Sequence, residues 1–242
     1  MQSTIDQISQ TVYRLSLYPD NGPICFNHFL ILDERPALIH MGHRKTFDTL
    51  LALTKQLIDP SRIQYLAFSH YEGDESGALT HWLEVAPEAQ VCVGGVCALS
   101  VKDEITQKPN ILRHGESISL GSENLTLLET PHFPHNWEAC LFITDKSQVL
   151  FGSDLGTQLG NRPAFTTIDH AEEIIDLQKK VGYLSYGPHA QQALDILQQQ
   201  EVTTLATMHG SALSQTQYQS LLSLLRLENE AILNPDLSHE FA

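Results

Sequence analysis

Basic residues are scarce in this chain: 14 Lys and Arg stand against 29 Asp and Glu, a formal net charge of −15. Such a surface repels phosphate backbones and anionic lipid, and the sequence shows no local basic cluster, so nucleic-acid binding is excluded. Cysteine is scarcer. Cys25, Cys92, Cys97 and Cys140 sit in or beside apolar segments, and none belongs to a Cys-x-x-Cys pair. This spacing gives neither a disulfide framework nor a zinc ribbon; buried reduced thiols are expected, with Cys92 and Cys97 near enough in sequence to lie close. No apolar run approaches the roughly 20 residues of a membrane span, and the start, Met1 to Asp6, lacks the basic and apolar regions of a secretory leader. A soluble cytoplasmic protein without membrane insertion is therefore expected. A Gly-rich phosphate-binding loop is also missing, which argues against a flavin or nicotinamide site, so no FMN is expected in this chain.

What is present suffices for a fold. With 42% hydrophobic residues in 242, the chain can bury one substantial core, and a single domain over 1–242 is expected. Residues 10–17 and 24–32 read as strands around the turn Pro19-Asp20-Asn21-Gly22-Pro23, and 37–41 as another. The spacing of Phe47, Leu50, Leu51, Leu53 and Leu57 predicts a helix over 45–57. Beyond it, 63–68 and 90–93 read as strands, 76–85 and 98–105 as helices, and 111–128 as a hairpin turning near Gly121 to Asn124. Strands at 139–144, 149–151 and 203–208 and helices at 171–181, 189–200 and 215–227 complete the pattern, with a loosely ordered tail from Asn234. Two such halves imply an α/β (α+β) fold, two mixed sheets packed together with helices outside.

The chemistry concentrates at strand ends. His70-Tyr71-Glu72-Gly73-Asp74-Glu75 follows the apolar run 63–68 and packs four ligand-type residues into six positions. In an extended segment His70, Glu72 and Asp74 would project to one side. His135, Asp154 and His209 likewise follow apolar segments. His132 rivals His135, but the eighteen residues up to Asp154 and the following Asn136-Trp137 favour His135. His28, His40, His43, His81, His114, His170, His189 and His239 have no such context and read as surface or core residues. Tyr71, Trp137 and Tyr186 are as well explained by packing as by a place near the site.

The series His70-x-Glu72-x-Asp74, His135, Asp154, His209 resembles the metallo-β-lactamase superfamily, and within it the flavodiiron branch, whose first motif has Glu where hydrolases have His. The resemblance implies an αββα sandwich in which His70, Glu72 and His135 hold one iron, Asp74 and His209 hold a second, and Asp154 bridges them. Glu75 stands where family members usually have His, which leaves it open as a ligand, a base beside the ligands, or an acid favoured by a helix N-terminus. His40-Met41-Gly42 departs from the Asp-x-Gly of many hydrolases of this fold. With Glu75, four carboxylates would balance two divalent ions, and hard oxygen donors favour iron or manganese over zinc.

Two Fe ions (Fe2+/Fe3+), with Zn or Mn as substitutes, are thus the expected cofactors, and O2 or NO the expected ligand. The expected role is an oxygen or iron sensor working with a chemoreceptor, or a reductase served by a separate flavin or rubredoxin-type electron donor; a homodimer is implied by resemblance alone. The alternative is a di-metal Zn/Mn hydrolase whose bridging hydroxide attacks an ester or phosphodiester. Glu72 counts against it, because an anionic ligand weakens the Lewis acidity that generates hydroxide.

Overall fold

The computed structural model describes residues 1–235, so the expected tail lies almost wholly outside the described residues, as does His239. The first half of the chain gives β1 (Gln2–Gln7), β2 (Val12–Tyr18), β3 (Phe26–Ile31), β4 (Ala37–Ile39), α1 (Phe47–Thr54), β5 (Tyr65–Ala67), α2 (Leu79–Val85), β6 (Gln90–Gly94), α3 (Cys97–Val101) and β7 (Asn110–Leu112). The second half gives β8 (Ser117–Ser119), β9 (Asn124–Glu129), β10 (Cys140–Thr144), β11 (Val149–Ser153), α4 (Ala171–Val181), α5 (Pro188–Gln198), β12 (Thr204–Thr207), β13 (Leu213–Ser214) and α6 (Gln215–Leu233).

Strands β1 to β7 form one sheet in sequence order, antiparallel through β4 and parallel from β4 onward. The second sheet runs β13-β12-β11-β10-β9-β8, antiparallel except for the β11–β12 pair. The two-residue period of a strand splits their side chains between two environments. Phe29, Ile31, Ala67, Cys92, Leu127, Phe142, Phe151 and Ala206 meet between the sheets. Leu30, Leu66, Val91 and Val93 face outward onto α1, α2 and α3, and Leu128, Leu141, Leu150 and Leu205 onto α4, α5 and α6. Strands β10 and β11 are buried on both faces and therefore read as continuous apolar runs.

Helix limits follow local chemistry. In α4, Glu172 and Glu173 open the helix, Lys179 and Lys180 close it, and Gly182 at φ 72° terminates it. A capping box between Ser214 and Gln217 starts α6.

The structure corrects four readings. β1 and β13 are additional; β1 carries one apolar residue, Ile5, in an edge strand with no buried face to signal it. Residues 111–128 are not one hairpin: Ile111 and Leu112 pair in parallel with β6 in the first sheet, and only β8 and β9 pair across the turn. Residues 76–78 are turns ahead of α2. Cys92 faces between the sheets while Cys97 packs under the outer helices, and all four thiols are free and buried.

Candidate metal centre

The two sheets are stitched at one edge by main-chain hydrogen bonds, from Cys140 N to the Ser69 carbonyl and from Asn27 N to the Met208 carbonyl. That stitching gathers the chain just beyond β5, β11 and β12 and sets His70, Asp154 and His209 beside one another. The segment after β5 is not extended. Ser76 N donates to the Glu72 carbonyl and Gly77 N to that of Gly73, so 70–77 is coiled. Coiling converges the ligand-type side chains by wrapping, and it puts Glu75 at the bottom, fully buried, while Glu72 stays half exposed.

His135 Nε2 lies 2.9 Å from His70 Nε2, 3.0 Å from Asp154 Oδ2 and 3.2 Å from Glu72 Oε2. His70 Nε2 is 3.0 Å from Glu72 Oε2 and 3.6 Å from both Asp154 Oδ2 and Glu75 Oε2. On the other side, Asp154 Oδ1 is 3.0 Å from His209 Nε2, which is 3.4 Å from Asp74 Oδ2. Ligand atoms of His70, Glu72, His135 and Asp154 all fall within 4.8 Å of one another, as do those of Glu72, Asp74 and Glu75. All seven expected residues are therefore in one cluster, and the two oxygens of Asp154 face different histidines. His132 is elsewhere, stacked at 4.6 Å on His189.

The electrostatics are those of a cation site. Hydrogen bonds from His135 and His70 hold Glu72 down at about 2. Burial raises Asp74 and Asp154, yet their histidine partners outweigh it and depress both carboxyls. Burial likewise works against charge on His135 and His209, but the facing carboxylates lift each to about 10. Glu75 goes the other way: burial, then the charges of Asp154 and Asp74, push it well above the carboxylate range. Its Oε2 has no hydrogen-bond partner among the described residues, and the cations facing the four carboxylates there are histidines. An orphaned carboxylate oxygen in an oxygen-rich pocket fits a hard cation.

Outside the ligand set, His209 Nδ1 lies 2.8 Å from the Cys25 carbonyl, which accepts its proton and aims Nε2 at the cluster. Burial drives His28 and His40 down to about 3; His28 Nδ1 is 3.2 Å from the His40 carbonyl, and both rings belong to the core. Tyr183, not Tyr186, borders His135, at 6.4 Å between ring centroids, with its hydroxyl buried beside Thr157. Trp137 is exposed, and Tyr71 lines a cavity of about 690 Å³ with Glu72, His43 and Gly73. Tyr183 gives no periodic or motif signal that could have found it.

A family model described as ODP family beta lactamase matches residues 24–210. The chain belongs to this family. Among curated relatives, the Flavo-diiron protein FprA2 of Clostridium acetobutylicum is 26% identical over 198 residues, covering 78% of this chain and 49% of its own length. The Nitric oxide reductase of Moorella thermoacetica is 33% identical over 114 residues, covering 45% and 29%. The chain spans about half or less of these relatives. Rubredoxin oxygen:oxidoreductase from Desulfovibrio gigas superposes with a TM-score of 0.85 at 18% identity, over 94% of this chain and 62% of that one. Two mixed sheets flanked by helices are thus the metallo-β-lactamase-like core that the resemblance implied.

Proposed function

We propose that the chain is a non-haem di-iron protein that binds and activates O2 or NO. Asp154 carries this reading, because a single carboxylate with one oxygen toward His135 and the other toward His209 is what two adjacent cations would share. In it His70, Glu72 and His135 would hold one ion and Asp74 and His209 the other, with Asp154 available to both and Glu75 as a further carboxylate beneath them. The names of the Clostridium, Moorella and Desulfovibrio relatives support iron with NO or O2 as ligand. Two ferrous ions would supply two electrons to such a ligand. The chain does the rest. The cavity at Glu72 admits a diatomic molecule, burial of His70, Glu75 and Asp154 excludes bulk water, and the Tyr183 ring packs beside His135.

Within this reading the protein is an oxygen or iron sensor whose oxidation state is the output, ahead of a reductase fed by a separate flavin or rubredoxin-type donor. The four carboxylates support it, since hard anionic donors stabilise oxidised iron and let that state persist. The partner is then a receptor such as a chemoreceptor, and free cysteines suit the reducing cytoplasm. To test it, metal-free protein is loaded anaerobically with Fe(II), air is admitted, and the visible spectrum is followed. A charge-transfer band that saturates at two irons per chain and persists without reductant is expected; failure to bind two irons, or no response to air, would defeat the reading.

A further inference from the structure

Behind His70 runs a hydrogen-bonded chain that involves none of the other histidines. His70 Nε2 faces the cluster, so as a ligand it needs its lone pair there and its proton on Nδ1. Nδ1 is 3.0 Å from Ser69 Oγ and 3.4 Å from Ser153 Oγ. The Ser69 hydroxyl donates to Ser153 Oγ at 2.7 Å, and the Ser153 hydroxyl donates to Glu75 Oε1 at 2.9 Å. Each hydroxyl carries one proton, so the order is fixed from both ends: imidazole to Ser69, Ser69 to Ser153, Ser153 to carboxyl. Glu75 Oε1 accepts whether or not Oε2 bears a proton, and the chain does not depend on that charge.

Ordinary structural serines bond to nearby main-chain groups. Ser69 and Ser153 do not: among the described residues their hydroxyls bond only to each other, His70 and Glu75. Ser153 also sits at φ 51°, at the register shift between β11 and β12, in a left-handed conformation that glycine would adopt without strain. A serine there implies that the position uses its side chain.

We propose that Ser69 and Ser153 are positioning residues for His70, a two-hydroxyl relay anchored on Glu75 that fixes the tautomer and orientation of the imidazole and strengthens Nε2 as a donor. The proposal rests on reading His70 as a metal ligand. The test is anaerobic titration of metal-free protein with Fe(II) or Mn(II), resolving two binding steps that are assigned with H135A and H209A, alongside thermal unfolding. Ser69→Ala and Ser153→Gly should each weaken the ion at His70 by about 10- to 100-fold, the range for partners behind a ligand, with little effect on the other. Ser69→Thr should restore it. The double variant should be no weaker than the weaker single one, because one break already interrupts the relay. Losses that multiply, that fall equally on both ions, or that do not occur while the parent binds two ions would overturn the relay alone. A parent that binds neither ion would overturn the ligand reading, and the relay with it.

Discussion

His70 and His209 stand on opposite sides of Asp154 and are held by different means. Behind His70 the acceptor is a side-chain hydroxyl, and the chain beyond it ends on Glu75. Behind His209 the partner is the main-chain carbonyl of Cys25, and the turn itself is pinned: Asn27 Nδ2 and Arg14 Nη1 donate to the Gly210 carbonyl at 2.8 and 3.2 Å. No substitution removes a main-chain carbonyl. The His70 corner can therefore be tuned one side chain at a time, whereas the His209 corner responds only to changes that move its backbone.

The sharpest way to break this comparison is to remove what the corners share. Asp154→Ala should lower bound metal from two ions to fewer than one per chain by elemental analysis; retention of two would mean that the corners bind independently. Next comes Arg14→Met. The Arg14 guanidinium is buried, pairs with Asp6 and donates to the carbonyls of Arg162, Pro163 and Gly210. Leaving those acceptors and Asp6 unpaired should cost about 2–4 kcal/mol in urea unfolding and selectively weaken the His209-side ion; equal weakening of both ions would erase the distinction. Gly210→Ala follows, at about 1–3 kcal/mol, because φ is +122° and a Cβ would lie 2.7 Å from the Gln158 side chain. A thermal midpoint unchanged in this variant would show that the turn yields. The smallest effect belongs to Cys25→Ser, below about 1 kcal/mol with both ions retained, since a hydroxyl can replace Sγ as acceptor for Gly210 N at 3.2 Å and the carbonyl facing His209 is untouched. Loss of an ion there would show that the thiol, not the main chain, governs this corner.

The ligand-type residues were legible because each follows an apolar strand and none lies in a periodic polar face. The central strands were legible for a related reason: β10 and β11 are buried throughout and apolar up to their closing Thr144 and Ser153. β1 was not, since an edge strand needs no apolar stripe, and Leu112 and Ile118 look like the arms of one hairpin although they belong to different sheets facing one core. An alternating reading of His70, Glu72 and Asp74 failed because turns carry no side-chain period. Supporting groups left the least trace. Ser69 and Ser153 directly precede His70 and Asp154 without forming a pattern of their own, and their contacts join segments 78 to 84 positions apart, while Tyr183 lies beside a distant loop.

Among the seven residues of the cluster, Glu72 alone is half open to water, with 50% of its side chain accessible against 5% for His209 and none for His70. Geometry of this kind gives metal traffic an order. If the cluster holds metal as proposed, an ion arriving through the neighbouring cavity would meet Glu72 before the buried donors. On the di-metal reading, the swing of this single carboxylate would set the exchange rate of the pair.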